Sequence, residues 1–255
     1  MGDRFSWSAI AAGLLMASPA LAADIPARMP TKAPAMVVAY NWSGFYTSSS
    51  IGVSWQDTEG TFALTPGENF NTSKTRAWTG SHVGIQGQWG SWVLGIEGSY
   101  SNRLSSSFDE ADQGAGCFNL TAATPGLTCA TTLRDIWTVG GKVGYSFGNW
   151  MIYGTGGYAN GRVDTFGLLN GVALSSSSER HGGWYAGGGF DVYVTRIMWS
   201  DLIVGLEYRH IDLGTELHTD VVGPAADKNM SATADMLLAK ATFKWVGAGP
   251  LNAFK

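Results

Sequence analysis

Eight stretches of this chain alternate between two kinds of side chain, and that alternation constrains the fold more than any other feature. Successive residues of a strand point to opposite faces, so a period of two gives a strand with two chemically distinct faces. The first stretch, 44–55, sets Phe45, Ile51, Val53 and Trp55 on one face. The second, 79–89, sets Val83, Ile85 and Trp89 against His82, Gly84, Gln86 and Gln88. The third, 92–100, sets Trp92, Leu94, Ile96 and Tyr100 against Gly95, Glu97 and Ser99, with Val93 as an exception. The fourth, 133–145, places Trp137, Val139, Val143 and Tyr145 opposite Arg134, Thr138 and Lys142. The fifth, 150–163, is rich in glycine, and Arg162 is the residue that points its even positions inward. In the sixth, 184–193, Trp184, Ala186, Phe190 and Val192 face out and Asp191 faces in. In the seventh, 202–213, Leu202, Val204, Leu206 and Tyr208 face out and Glu207 and Arg209 face in. In the eighth, 235–245, Leu237, Ala239, Ala241, Phe243 and Trp245 oppose Lys240, Thr242 and Lys244.

Short connections fall near Gly90, Gly148 and Ile197, and long ones cover 56–78, 101–132, 164–183 and 214–233. Short turns on one rim, long loops on the other and an even strand number are the plan of a transmembrane β-barrel. Strands of about 9–11 residues cross a bilayer when tilted. Trp42, Trp55, Trp89, Trp92, Trp150, Trp184, Trp199 and Trp245 stand near strand ends, where two interfacial girdles are expected. The chain is therefore read as all-β, a single antiparallel eight-stranded up-and-down barrel over 42–245. A soluble β-sandwich also alternates, but its polar parity would be densely charged; here that parity is glycine, serine and few charges.

Composition supports this reading. Charged residues are 14% of the chain against a usual ~25%, and no run of about 18 apolar residues marks a spanning helix. Sixteen basic against twenty acidic residues give no positive field for nucleic acid. Residues 1–22 read as a secretory signal peptide: Arg4, an apolar stretch over 9–17, Pro19 and a closing Ala-Leu-Ala. Residues 23–41 carry Pro26, Pro30 and Pro34 and read as an extended periplasmic arm. Residues 246–255 form a C-terminal extension.

Four motifs make a family resemblance: YNWSGFY at 40–46, MIYGTGGYA at 151–159, GWYAGGGFD at 183–191 and LEYRHIDLG at 206–214. Together they resemble the porin-like, immunogenic outer-membrane proteins of Gram-negative bacteria, over 40–245. The resemblance implies a barrel of the OmpA transmembrane type, an integral outer-membrane location, surface display and roles in envelope integrity or host contact. It brings no catalytic residues. The partners it implies are outer-membrane lipid, lipopolysaccharide and the barrel-assembly machinery. Two departures stand out. Thr47 and Ser49 take lipid-facing positions, and Trp245 is followed by ten residues where such barrels end in an aromatic, leaving Trp245 or Phe254 as the assembly signal.

The lumen of an eight-stranded barrel is just wide enough for side chains to fill. The inward charges read from parity are Glu97, Asp191 and Glu207 against Arg134, Lys142, Arg162, Arg209, Lys240 and Lys244. They serve either as a structural polar core, the favoured reading, or as a narrow porin-like path for small solutes. Cys117 and Cys129 lie in an exported chain and are expected to form a disulfide. Among the histidines only His210, with Asp212 two residues on, has the look of an enzyme pair, as in lipid-modifying barrels, and no nucleophile accompanies it. No metal-ligand spacing and no cofactor motif is present. The expected function is non-enzymatic: envelope integrity and surface contact. The alternative is a loop-based binder or adhesin for a host molecule, haem or lipopolysaccharide.

Overall fold

The computed structural model describes residues 40–62, 69–104, 127–170, 172–219 and 227–245. The signal peptide and most of the arm, Cys117 and the C-terminal extension lie outside them. Eight antiparallel strands pair in sequence order, and the last pairs with the first to close a barrel. They are β1 (Gly44–Phe62), β2 (Asn69–Trp89), β3 (Trp92–Arg103), β4 (Leu127–Ser146), β5 (Trp150–Leu169), β6 (Val172–Ile197), β7 (Ser200–His218) and β8 (Lys228–Trp245). Closure leaves no edge strand, so no backbone group is presented unpaired to lipid.

The strands are longer than a bilayer needs. Most run 18 to 26 residues and only β3 is short, at 12. Much of the sequence expected to be long loop is therefore strand. The clearest correction is between β5 and β6, where the expected connection over 164–183 is a tight reversal at Asn170, which takes a positive φ of 49°. The three turns of the opposite rim fall where the sequence placed them, and Gly90 and Gly148 supply the positive φ those turns require.

Exposed aromatics form two bands on the outer wall. Trp89, Trp92, Tyr145, Phe147, Trp150, Trp199 and Trp245 ring the short-turn rim. Trp55, Tyr100, Trp137, Tyr158, Trp184 and Tyr208 ring the wall above. Between them the wall carries Ile51, Val83, Leu94, Ile96, Val143, Ile152, Phe190, Val204 and Leu206. On β3, β4, β5 and β7 the two bands stand eight or nine residues apart. At ~3.3 Å per residue and a tilt of about 40° that spans about 20–23 Å, close to the ~25 Å height of an outer-membrane apolar girdle.

Above the upper band the barrel turns its chemistry inside out. The outer wall there carries Asp57, Glu59, Ser73, Asn102, Arg134, Arg180 and Glu216. The interior is an apolar core built from Trp78, Leu133, Ile136, Val163, Ile211, Leu213, Met236 and Leu238 with small alanines between them. One set of strands is thus a membrane barrel below and a water-soluble barrel above. A bulge in β4 between Leu133 and Asp135 shifts the parity at that boundary, so Leu133 and Ile136 both point inward while Trp137 stays outward.

Higher in the same interior, His181 and His218 are fully buried with their Nε2 atoms 2.7 Å apart. One nitrogen donates and the other accepts, so at most one of the two rings carries a charge, and burial disfavours that charge. His218 Nδ1 lies 3.4 Å from Ser177 Oγ. Burial, with His181 and Lys228 beside it, pushes the His218 pKa down to about 4; burial also lowers His181, opposed by Glu216. A histidine held neutral in the fold adds stability above its unfolded pKa of about 6.5, and loses it as pH falls toward the folded value.

Two outcomes follow from this upper compartment. Ile211→Ala removes a buried chain from the apolar core and is expected to cost about 2–5 kcal/mol, read from the denaturant midpoint in detergent; a change under about 0.5 kcal/mol would contradict the inverted core. Amide protection over the upper halves of β6 and β7, taken relative to the intrinsic exchange rate at each pH, is expected to fall as pH drops from 7 to 4.5, and His218→Gln is expected to flatten that dependence. Equal protection at both pH values in the parent protein would rule out a neutral buried pair.

Candidate functional site

The site with the most chemistry is the middle of the lumen, at the height of the apolar girdle. Odd residues of β3, β6 and β7 and even residues of β1, β2, β8 and the lower part of β4 point there. Lys240 Nζ lies 3.2 Å from Glu97 Oε2 and 2.9 Å from Glu207 Oε2, so one ammonium joins two strands across the barrel. Arg209 Nε donates to Glu207 Oε1 at 2.9 Å, and its Nη2 binds the same carboxylate and reaches Glu97 Oε1 at 3.4 Å. Arg209 Nη1 donates to Ser99 Oγ at 2.9 Å and to Thr138 Oγ1 at 3.2 Å. Lys142 Nζ pairs with Asp191 Oδ2 at 2.9 Å. The hydroxyls of Tyr46 and Tyr153 donate to Glu97 at 2.9 Å and to Glu207 at 2.8 Å. His82 Nδ1 sits 3.2 Å from Glu97 Oε1, with its other ring nitrogen 2.9 Å from Ser50 Oγ.

Aromatic rings fill what the charges leave. Lys142 stands 3.8 Å from the centre of the Tyr153 ring, and Arg209 stands 4.8 Å from that of Tyr185. The inward glycines are where these rings cross the lumen: a Cβ at Gly84 would overlap the Tyr46 ring. Three carboxylates therefore face three cations in a tier with no spare charge: Glu97, Asp191 and Glu207 against Lys142, Arg209 and Lys240. All six are buried.

A second closure sits at the short-turn rim. The end of the N-terminal arm enters the barrel mouth there, and Trp42 is fully buried against Val93, Met151, Tyr153 and Ile203. Its backbone N–H donates to Gln88 Oε1 at 2.8 Å, its carbonyl accepts from Gln86 Nε2 at 2.7 Å and its indole donates to Gly148 O at 3.2 Å. Tyr40 stacks on Tyr193 at 4.3 Å and donates to Asp201 Oδ2 at 2.8 Å. Asp201 also takes Arg196 Nε at 2.9 Å and faces Lys244 at 3.5 Å. Lys244 donates to the carbonyl of Asn41. The Val93 exception to the third strand's pattern has its reason here: it packs on the arm.

The structure places Glu97, Lys142, Asp191, Glu207, Arg209, Lys240 and Lys244 in the lumen. It corrects three other assignments. Arg134 is the extra residue of the β4 bulge and points outward, its Nε 3.1 Å from Asp164 Oδ2. Arg162 is also on the outer wall, because odd residues of β5, from Met151 to Val163, are the buried ones. Trp42 is a cork rather than a girdle residue, while Trp55, Trp89, Trp92, Trp150, Trp184, Trp199 and Trp245 are exposed on the wall. Thr47 and Ser49 do lie on the outward parity. The lumen residues absent from the sequence reading are Tyr46, Tyr153 and Asp201, while His82 stands on the polar parity of the second stretch without being counted among the inward charges. Parity alone places Tyr46, His82 and Asp201, and the outward Trp150 would have set the facing of β5 and found Tyr153.

His210 is not paired with Asp212. Its Nδ1 lies 2.8 Å from Asp235 Oδ1, which also accepts from the Tyr208 hydroxyl at 2.6 Å, and Asp212 caps the backbone N–H of Gly214. The group lies on the outer wall beside Trp184. Cys129 lies in β4, and its expected partner Cys117 is outside the described residues.

Among solved structures, the chain is similar to the Neisserial surface protein NspA (13% identity, TM-score 0.37, covering 80% of this chain and 98% of that one). It is also similar to Ail, the attachment invasion locus protein of Yersinia pestis (13%, 0.37, 79% and 99%). A third is the outer membrane protease OmpT of Escherichia coli (7%, 0.40, 79% and 97%). At TM-scores this low none of them carries an argument. No curated protein matches the chain by sequence. The family model of the outer membrane protein β-barrel domain matches residues 8–235. The chain belongs to that family and is an integral protein of the outer membrane.

Proposed function

We propose that this protein is a closed, non-conducting barrel that ties the outer membrane together and carries a rigid β-walled projection at the cell surface. The observation that supports this most is the charge balance of the lumen. An ion path selective for one sign needs uncompensated charge along a wetted wall. Here each buried cation in the girdle tier has its carboxylate, the apolar core seals the lumen above and Trp42 corks it below. Removing one partner from such a network strands a buried charge, which is far more costly than never having had the pair.

The enzyme reading has little support, since His210 is held on the outer wall by Asp235, which also accepts from the Tyr208 hydroxyl, and no serine or cysteine is bonded to it among the described residues. The surface-contact reading is supported by the strands that carry a polar outer wall well above the girdle. Loops on a rigid scaffold are where recognition concentrates.

The full chain reconstituted in planar bilayers is expected to show no sustained conductance. Steady channels of ohmic conductance in the parent protein would overturn the closed reading. Glu207→Ala leaves Lys240, Arg209 and the Tyr153 hydroxyl without their shared acceptor, and is expected to cost about 3–5 kcal/mol. That loss would lower the temperature at which the folded band converts to the unfolded one on SDS gels. Lys240→Met/Glu207→Leu, which removes charge of both signs, is expected to lose less than Glu207→Ala; the reverse order would show that the network is not organised as paired charges.

A further inference from the structure

A cluster of arginines outside the lumen has no part in closing the barrel. Arg134, Arg162 and Arg180 lie on the outer wall of three neighbouring strands, β4, β5 and β6. Arg162 and Arg180 are direct cross-strand partners, and Asp135 stands opposite Arg162 on its other side. Like charges directly opposed on one face of a sheet repel. The nearby carboxylates are engaged elsewhere. Asp135 lies 3.5 Å from Arg180, and Asp164 is held by Arg134 and by Ser178 Oγ at 2.6 Å. Arg162 itself has no hydrogen bond or ion pair within the described residues. It is an uncompensated guanidinium set between a second arginine and an occupied aspartate.

Its height on the wall gives the patch a meaning. Trp137, Tyr158 and Trp184, the upper aromatic band on these same strands, lie three to four residues below the arginines. At about 3.3 Å per residue along a tilted strand, the guanidiniums stand about 10 Å above the rings, at the depth of lipid headgroups. The two layers are joined. Trp137 Nε1 donates to Asn160 Oδ1 at 3.0 Å, and Arg180 Nη1 donates to the same oxygen at 3.1 Å. Trp137 and Tyr158 meet with ring centres 5.4 Å apart. The wall thus offers aromatic faces to acyl chains and, directly above, guanidinium forks that match a phosphate in shape and charge. A free anion would use only the upper half of that surface. A phosphorylated lipid uses both.

We propose that Arg162 and Arg180, flanked by Arg134, hold a phosphate of an outer-leaflet glycolipid against the wall of β4–β6, with its acyl chains lying over the Trp137–Tyr158–Trp184 band. The site depends on outer-membrane placement and not on the closed lumen, so a conducting barrel would leave it intact.

The test uses the full chain in nanodiscs, titrated with diphosphoryl lipid A and followed by native mass spectrometry. The double variant Arg162→Gln/Arg180→Gln is expected to bind diphosphoryl lipid A at least tenfold more weakly, and the parent is expected to bind fully dephosphorylated lipid A as weakly as that variant does. Millimolar inorganic phosphate is expected not to displace the lipid. Binding by the double variant within twofold of the parent would overturn the proposal, as would equal binding of dephosphorylated lipid A. Displacement by inorganic phosphate would reassign the site to a free anion. A heat-dependent shift on SDS gels reports that the variants are folded. If the double variant fails that check, Arg162→Gln alone decides the matter. Its side chain has no partner to lose, so a loss below threefold contradicts the site.

Discussion

Lipid offers no hydrogen bonds, so a sheet that crosses it must close on itself, and the remaining features of this molecule follow from closing it with eight strands. Closure is made by the ladder between β1 and β8, which runs from Tyr46 opposite Lys244 to Phe62 opposite Lys228. Eight strands leave a lumen about as wide as the side chains that line it. That lumen must be filled, because a narrow wet channel lined by unpaired polar groups is unstable. The chain fills it differently at each height: an aromatic cork from the residues just before β1, a tier of matched charges with tyrosine rings, and an apolar core.

The order of these layers follows the solvent outside. In the girdle the wall must be apolar, so the polar residues that alternation leaves over are driven inward and have to neutralise one another. Above the girdle the wall meets water. The same alternation then works as it does in a soluble protein, and Ile211, Leu213 and Met236 take the interior. The β4 bulge is the device at the seam. One extra residue, Arg134, lets Trp137 stay at the membrane boundary while Leu133 and Ile136 both face the core. The charge tier and the apolar core are thus two answers to one geometric demand, and together they support the reading of a scaffold rather than a pore.

Much of this was legible in the residues. Alternation and the tryptophans near strand ends define the barrel, and inward parity finds Glu97, Lys142, Asp191, Glu207, Arg209, Lys240 and Lys244. What misleads is equally physical. Above the membrane, strands with apolar interiors and serine-rich exteriors look like loop, so β5 and β6 extend to Asn170 where the sequence reads as a long connection. Parity cannot register a bulge, so it assigns Arg134 to the wrong face. Arg162 is the wrong guide to a glycine-rich strand, because a charge on the outer wall above the apolar girdle is not driven inward. Trp42 reads as a girdle residue since nothing in its neighbours reveals that the arm turns back into the barrel mouth. The charge tier itself depends on which cation meets which carboxylate across the lumen, and that is a matter of register between strands distant in sequence.

The central claim is that one barrel changes its chemistry at the upper aromatic band. Spin labels placed singly along the outward face of β6 in the liposome-reconstituted full chain test it most directly. Labels at Ala186 and Phe190 should be relaxed by oxygen and shielded from a water-soluble nickel chelate, and labels at Ser176 and Ser178 should show the opposite. A label at Tyr185, inside, should be reached by neither. Nickel access at positions 186 and 190, or oxygen preference at 176 and 178, would contradict the account, because the boundary would then not lie at Trp137, Tyr158 and Trp184.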